Sequence, residues 1–177
     1  MKNQLVQIRK FDMNDIKLKV KWINDENINK YLHYTLPLNE DKTFEWYEKN
    51  KENKNRIDQV IEVFDNNKYY PVGLIGLLNI DTINKKAEFY ICLGEKSAHG
   101  KGIATKASCE FIKKYLDKID LNKIYLYTEK DNILAQKLFE NIGFKKEGLL
   151  LEDLIYSGRK VDRYVYGLLR EDFSYND

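Results

Sequence analysis

Apolar positions along the chain recur with two different periods. Ile57 to Phe64 is β-branched and partly alternating, Asp65-Asn66-Asn67 breaks the run, and Tyr70 to Ile80 is a second apolar run, so the stretch predicts a hairpin. Asp81 to Lys86 supplies another turn, and Ala87 to Leu93 (AEFYICL) reads as a third strand. The period then changes: Ile103, Ala107, Phe111, Ile112, Tyr115, Leu116 and Ile119 fall on one face of a helix. Lys123 to Thr128 (KIYLYT) alternates again as a strand, Asp131-Asn132 starts a helix running to Ile142, and Gly143 stops it. Phe144 to Tyr156 and Val161 to Leu169 are two closing strands around the Ser157-Gly158-Arg159 turn.

The first third of the chain is less regular. Leu5, Ile8 and Phe11 mark a short strand, and Asp12 with Asp15 gives a helix-start signal. Ile16 to about Leu32, carrying Val20, Trp22, Ile23 and Ile28, predicts one helix followed by a bend or a second short helix. His33 to Asn39 contains Pro37 and leads to Asp41-Lys42-Thr43, a further start cluster ahead of Phe44, Trp46 and Tyr47. Trp22 and Trp46 read as aromatic anchors for their helices, and the excursion between the helices reads as a lid or pocket wall. The strand before the long helix and the strand after it are joined by a crossover, which makes those two parallel. The expected fold is therefore mixed α+β with one parallel pair.

At 177 residues, 43% hydrophobic and 33% charged, the chain has globular composition and fits one domain better than two. Thirty Lys and Arg against 28 Asp and Glu leave a net charge of +2 with the bases dispersed among acids, which points away from nucleic acid and from a membrane surface. The N-terminus has no apolar signal-like run and no segment approaches bilayer length, so the expected location is cytoplasmic. Cys92 and Cys109 lack Cys-x-x-Cys spacing, and with two histidines in the chain neither a disulfide framework nor a metal site is expected.

Ser97 to Ala107 (SAHGKGIATKA) carries the first sign of chemistry. Around Gly100 and Gly102 side-chain bulk is low, so main-chain N–H groups can converge at the start of a helix, where an anion is favoured. Alone the stretch is a weak signal. It lacks the third glycine of a dinucleotide fingerprint and the Gly-Lys-Ser/Thr of a P-loop.

In its context the stretch resembles the GNAT superfamily of acetyl-CoA-dependent N-acetyltransferases. The pyrophosphate motif of that family, Gln/Arg-x-x-Gly-x-Gly/Ala, maps onto His99-Gly100-Lys101-Gly102-Ile103-Ala104, with His99 in place of Gln or Arg. Asn132-x-x-Ala135, Leu138-Phe139 and Gly143-Phe144 match the family's later helix and turn. Trp22-Ile23-Asn24-Asp25 and the ending Gly158 to Asp162 before Tyr166-Gly167-Leu168-Leu169 are similar to one branch, that of ribosomal-protein N-terminal, spermidine and nucleotide-linked amino-sugar acetyltransferases.

The resemblance covers nearly the whole chain and implies a single N-acetyltransferase domain over residues 1–177. It implies an α+β fold: a mixed, mostly antiparallel sheet of about seven strands, flanked by helices, its one parallel pair splayed for acyl-CoA. It implies acetyl-CoA as donor with no metal, bound by Leu93, His99, Gly100, Lys101, Gly102, Ala104, Thr105, Asn132 and Lys137. The implied acceptor is a small-molecule primary amine (polyamine, amino sugar or amino acid) or a peptide N-terminus, and the resemblance allows a homodimer.

Acetyl transfer from a thioester to an amine needs a neutral amine, a stabilised oxyanion and a tolerable thiolate. Glu88, eleven residues ahead of His99, stands where many GNAT enzymes place a base acting through water. Read from the residues alone it is equally a solvent-facing strand carboxylate. The family's oxyanion donor is a main-chain N–H that falls near Cys92, whose thiol is not required as a nucleophile. The family's thiolate-facing Tyr is replaced by Phe139, which leaves water, Tyr90 or Tyr127 as proton donors, or no donor at all. His33, Tyr31 and Tyr34 lie in the excursion where acceptors bind in the resembled fold, with His33 a minor candidate base. An acyl-CoA-binding sensor without turnover is the alternative function.

Overall fold

The computed structural model describes residues 5–175. Its core is a seven-stranded sheet built from β1 (Val6–Lys10), β2 (Ile57–Asp65), β3 (Lys68–Asp81), β4 (Lys86–Leu93), β5 (Lys123–Glu129), β6 (Lys145–Tyr156) and β7 (Arg159–Leu169). The strand order is β1-β2-β3-β4-β5-β7-β6, so the expected sheet forms and the last hairpin turns its second strand inward against β5. Pairing is antiparallel everywhere except between β4 and β5.

Two of the turns have a local cause. Asn66-Asn67 and Ser157-Gly158 close two-residue hairpins with positive φ at both positions, the backbone twist that tight antiparallel strands require. In the first third, Asp12 and Asp15 form a reciprocal capping box ahead of α1 (Ile16–Asn24), and Asp25 caps the short α2 (Glu26–Asn29). Helix α3 (Glu40–Asn50) begins just before the expected Asp41-Lys42-Thr43 cluster, because the Asn39 side chain accepts from the Lys42 N–H at 2.8 Å.

Strand alternation divides the apolar residues between two faces. Ile61, Val63, Ile75, Leu77, Ala87 and Phe89 meet α4 (Ile103–Lys118) and α5 (Ile133–Ile142) in the larger core. On the other face Val60 and Leu74 pack with Phe11, Ile16 and Trp22, bordered by Trp46, Tyr47 and Tyr90. The crossover through α4 makes β4 and β5 parallel neighbours for only three rungs, Lys86 to Glu88 against Lys123 to Tyr125. Beyond Glu88 and Tyr125 both strands continue without pairing to each other, which opens a gap in the middle of the sheet. Among the described residues, no helix is long and apolar enough to cross a membrane.

Candidate active site

The gap is widened into a cleft of about 480 Å³ between the free end of β4, the loop into α4, the start of α5, and α2 with the residues after it. The loop is shaped by Gly100 and Gly102, with φ of 72° and 75°, a region that side-chain-bearing residues seldom enter. Gly102 is the residue preceding α4 and offers no side-chain cap, whereas α2, α3 and α5 are capped by Asp25, Asn39 and Asn132. The first-turn N–H groups of α4 therefore face the cleft without an internal acceptor, at the positive end of a 16-residue helix. A phosphate group fits that vacancy of acceptors.

Cys92, Leu93, His99, Gly100, Gly102, Ala104, Thr105, Asn132 and Lys137 all line this one cleft. The sequence places them on four different stretches, and the crossover brings them together. His99 Nε2 lies 3.1 Å from the Leu93 carbonyl, which can only accept, so the ring ties the loop to the end of β4. Asn132 accepts from the Ala135 N–H at 3.2 Å, so its Oδ1 caps α5 and its amide nitrogen is left for other partners. Burial pushes the Cys92 thiol up to about 12, which keeps it protonated and a poor nucleophile.

Lys101 and Glu88 stand outside this lining. The Lys101 side chain borders a different hollow, beside Ser97 and Glu95. Glu88 sits on the last paired rung of β4 and β5, and its carboxylate accepts from the Asn79 amide at 2.8 Å. It shares a strand face with Tyr90 and Cys92. Phe139 is buried in an aromatic cluster with Phe89, Phe144 and Tyr166. Tyr90 donates to Asp58 at 2.6 Å across Gly76, where a Cβ would overlap its ring, and Arg56 holds the same carboxylate at 2.7 and 2.8 Å.

Three features of the site escaped the sequence reading. Trp22 is fully buried against Gly94, where any Cβ would overlap the indole, and its N–H donates to Glu95 at 2.8 Å. Lys21 reaches the same carboxylate at 2.8 Å, so α1 clamps the chain just as it leaves β4. The segment after α2 spans the gap: Tyr31 donates to the Asp131 carbonyl at 3.2 Å and His33 Nε2 to Glu129 at 2.8 Å. Tyr156 on β6 donates to the Tyr34 carbonyl at 3.1 Å, and Arg159 supports the buried Glu129 at 3.2 Å. The only sequence signals for these contacts were tyrosines and a histidine in an irregular stretch, with partners about a hundred residues away.

Comparison with known proteins agrees with this geometry. A family described as Acetyltransferase (GNAT) domain matches residues 5–145. Among curated proteins the chain is 28% identical over 160 residues to spermidine N(1)-acetyltransferase of Vibrio cholerae, covering 90% of each chain. It is 26% identical over 178 residues to the N-acetyltransferase p20 of Bacillus licheniformis, itself uncharacterized, covering 94% of each. Among solved structures it matches Vibrio cholerae spermidine N-acetyltransferase in complex with coenzyme A and spermine, with a TM-score of 0.87 at 26% identity over 94% of this chain and 96% of that one.

Proposed function

Because the chain belongs to the GNAT acetyltransferase family, we propose that it moves the acetyl group of acetyl-CoA to a primary amine by direct attack in a ternary complex. The amine is a polyamine, an amino sugar, an amino acid or a peptide N-terminus, and residues 1–177 act as a single N-acetyltransferase domain in the cytoplasm. The observation that carries the reading is the uncapped first turn of α4 at the point where β4 and β5 part.

When bound, acetyl-CoA supplies an acetyl group activated as a thioester. The main-chain groups at His99, Gly100, Lys101, Gly102, Ala104 and Thr105 hold its pyrophosphate, helped by the helix dipole. Leu93, the Asn132 amide nitrogen and Lys137 hold the pantetheine arm along the cleft. A main-chain N–H near Cys92 steadies the charge that develops on the carbonyl oxygen, a contribution worth about 3 kcal/mol in comparable sites. Glu88 draws the ammonium proton away through water along the face it shares with Cys92. The segment Tyr31 to Tyr34 forms the acceptor side.

Calorimetry is expected to show acetyl-CoA binding that Gly102→Glu and Ala104→Glu abolish, since each puts a carboxylate where the pyrophosphate lies. Unchanged binding in both variants would sink the proposal. Coenzyme A release over a panel of polyamines, amino-sugar nucleotides, aminoglycosides and peptide N-termini identifies the acceptor. In that assay Glu88→Gln is expected to lower kcat about 10²-fold, and an unchanged kcat would hand proton removal to bulk water. Phe139 favours a second reading, a donor-binding sensor, which tight acetyl-CoA binding with no release across the panel would establish.

A further inference from the structure

A second cavity, of about 560 Å³, lies at the other end of α4. It opens beside β1, the outermost strand on that side of the sheet, where the end of α3 and the turn after it meet the start of β2 and the last turns of α4. The donor loop stands at the beginning of α4, and Tyr115, Lys118 and Ile119 reach this cavity from its end. A helix of 16 residues, about 24 Å long, therefore separates the two, and no residue lines both.

The charges that line the cavity are unequally spent. Arg9 is held by Asp15 at 2.7 Å and by Glu62 at 2.8 Å, Arg56 by Asp58 at 2.7 Å, and Lys51 by Glu48 at 2.7 Å. Lys10, Lys54 and Lys118 have no carboxylate partner among the described residues, with Glu52 as the opposing charge in the lining. Lys118 ends a helix, where the dipole calls for a cation, but Lys10 ends β1 and Lys54 sits in a turn, where no dipole accounts for them. Apolar and aromatic lining comes from Phe11, Trp46, Tyr47, Ile57, Tyr115 and Ile119.

Gln59 adds an independent sign. It lines the same cavity from β2, is 6% exposed, and its Oε1 has no hydrogen-bond partner among the described residues. A buried amide oxygen without a donor is uncommon in a folded protein and marks a place where a donor belongs. The last torsion of a glutamine is soft, so the amide can turn to meet a donor in the cavity.

We propose that this cavity is a second ligand site and takes an adenine nucleotide. The phosphates lie on Lys10, Lys54 and Lys118, the base lies against the apolar side chains, and its exocyclic amino group donates to Gln59 Oε1. Each feature narrows the class: unpaired ammonium groups call for an anion, aromatic walls for a flat body, and Gln59 for an N–H that phosphate alone lacks. A glutamine amide offers a donor and an acceptor side by side, which the edge of adenine matches. The volume suits a small molecule. The site is independent of what binds at the donor loop.

Calorimetry with ATP on the full chain, in the presence of saturating coenzyme A, is the test. One ATP per chain is expected to bind, more tightly than adenosine or tripolyphosphate, with an affinity that falls as salt is raised. Lys54→Glu combined with Lys118→Glu should weaken ATP about tenfold and leave coenzyme A affinity unchanged. Both lysines are exposed, so this protein is expected to fold as wild type does, which a thermal melt checks. Gln59→Leu removes the unpartnered oxygen, so its Tm should hold or rise while ATP weakens about fivefold and tripolyphosphate does not. Absence of ATP binding beside coenzyme A, or a lysine double variant that holds ATP as tightly as wild type, overturns the site. Equal affinities for ATP and tripolyphosphate, or an ATP affinity unaltered in Gln59→Leu, overturn the nucleotide in favour of a bare polyanion.

Discussion

Lys19 carries an ammonium into the packing between α1 and α3, where it is 7% exposed and stands 3.1 Å from the centre of the Trp46 ring and 5.7 Å from that of Phe11. Burial lowers its pKa to about 7, with Asp58 opposing the fall and Arg56 adding to it. In the unfolded chain the same group titrates near 10.4. Between those values the unfolded state holds a proton that the folded state has released, so this residue makes stability climb with pH across the window. Below about pH 7 both states are protonated and the cost of burying the charge is fully present, offset in part by the Trp46 ring. Lys19→Met removes the charge and keeps the length. It is expected to stabilise the protein by roughly 1–3 kcal/mol below pH 7 and by much less above pH 10, as read from urea unfolding at the two pH values. An equal effect at both would mean that the ammonium stays protonated in the fold.

The loop from β4 into α4 is the element that turns a strand end into a ligand cradle, and its geometry is imposed from α1. Trp22 covers Gly94, and Glu95 is gripped by the indole N–H and by Lys21. Gly94→Ala would drive a methyl group into the indole. The expected cost is about 1–3 kcal/mol of stability, with weaker acetyl-CoA binding, both checked by thermal melts and calorimetry. Loss of stability with unchanged donor affinity would show that the loop takes its shape from Gly100 and Gly102 alone. Those two glycines were legible in the sequence because positive φ before a helix is a local property. Gly94, Gly73 and Gly76 were not. They make room for Trp22, for the Cys92 carbonyl and for Tyr90, and a partner distant in sequence leaves no local mark. The same reason explains Asn39 and the segment from Tyr31 to Tyr34. Start signals crowd the approach to α3, and only the fold shows which side chain reaches a free N–H, or which tyrosine reaches Asp131.

At the scale of the molecule, the sheet is two half-sheets, β1 to β4 and β5 to β6, joined through three parallel rungs and bridged above them by the segment after α2. Alternation and the change of period were enough to read every strand, the parallel crossover and the helices α4 and α5. They did not show that β7 lies between β5 and β6, because either strand of a closing hairpin can face inward with the same pattern. The joint makes the gap the least supported part of the core, and a donor lying in it would connect β4 to β5 where the chain itself does not. Ligand binding to the folded state alone at 100 times Kd adds about 2.7 kcal/mol, which for a chain of this size raises Tm by about 5–10 °C. Hydrogen exchange should locate that gain. Slowing is expected in Phe89 to Leu93 of β4, in Leu126 to Glu129 of β5 and in the loop from His99 to Thr105, while Lys86 to Glu88, already paired across the joint, should change little. Slowing spread evenly over the sheet, or confined to the β6–β7 hairpin, would place the donor somewhere other than the gap.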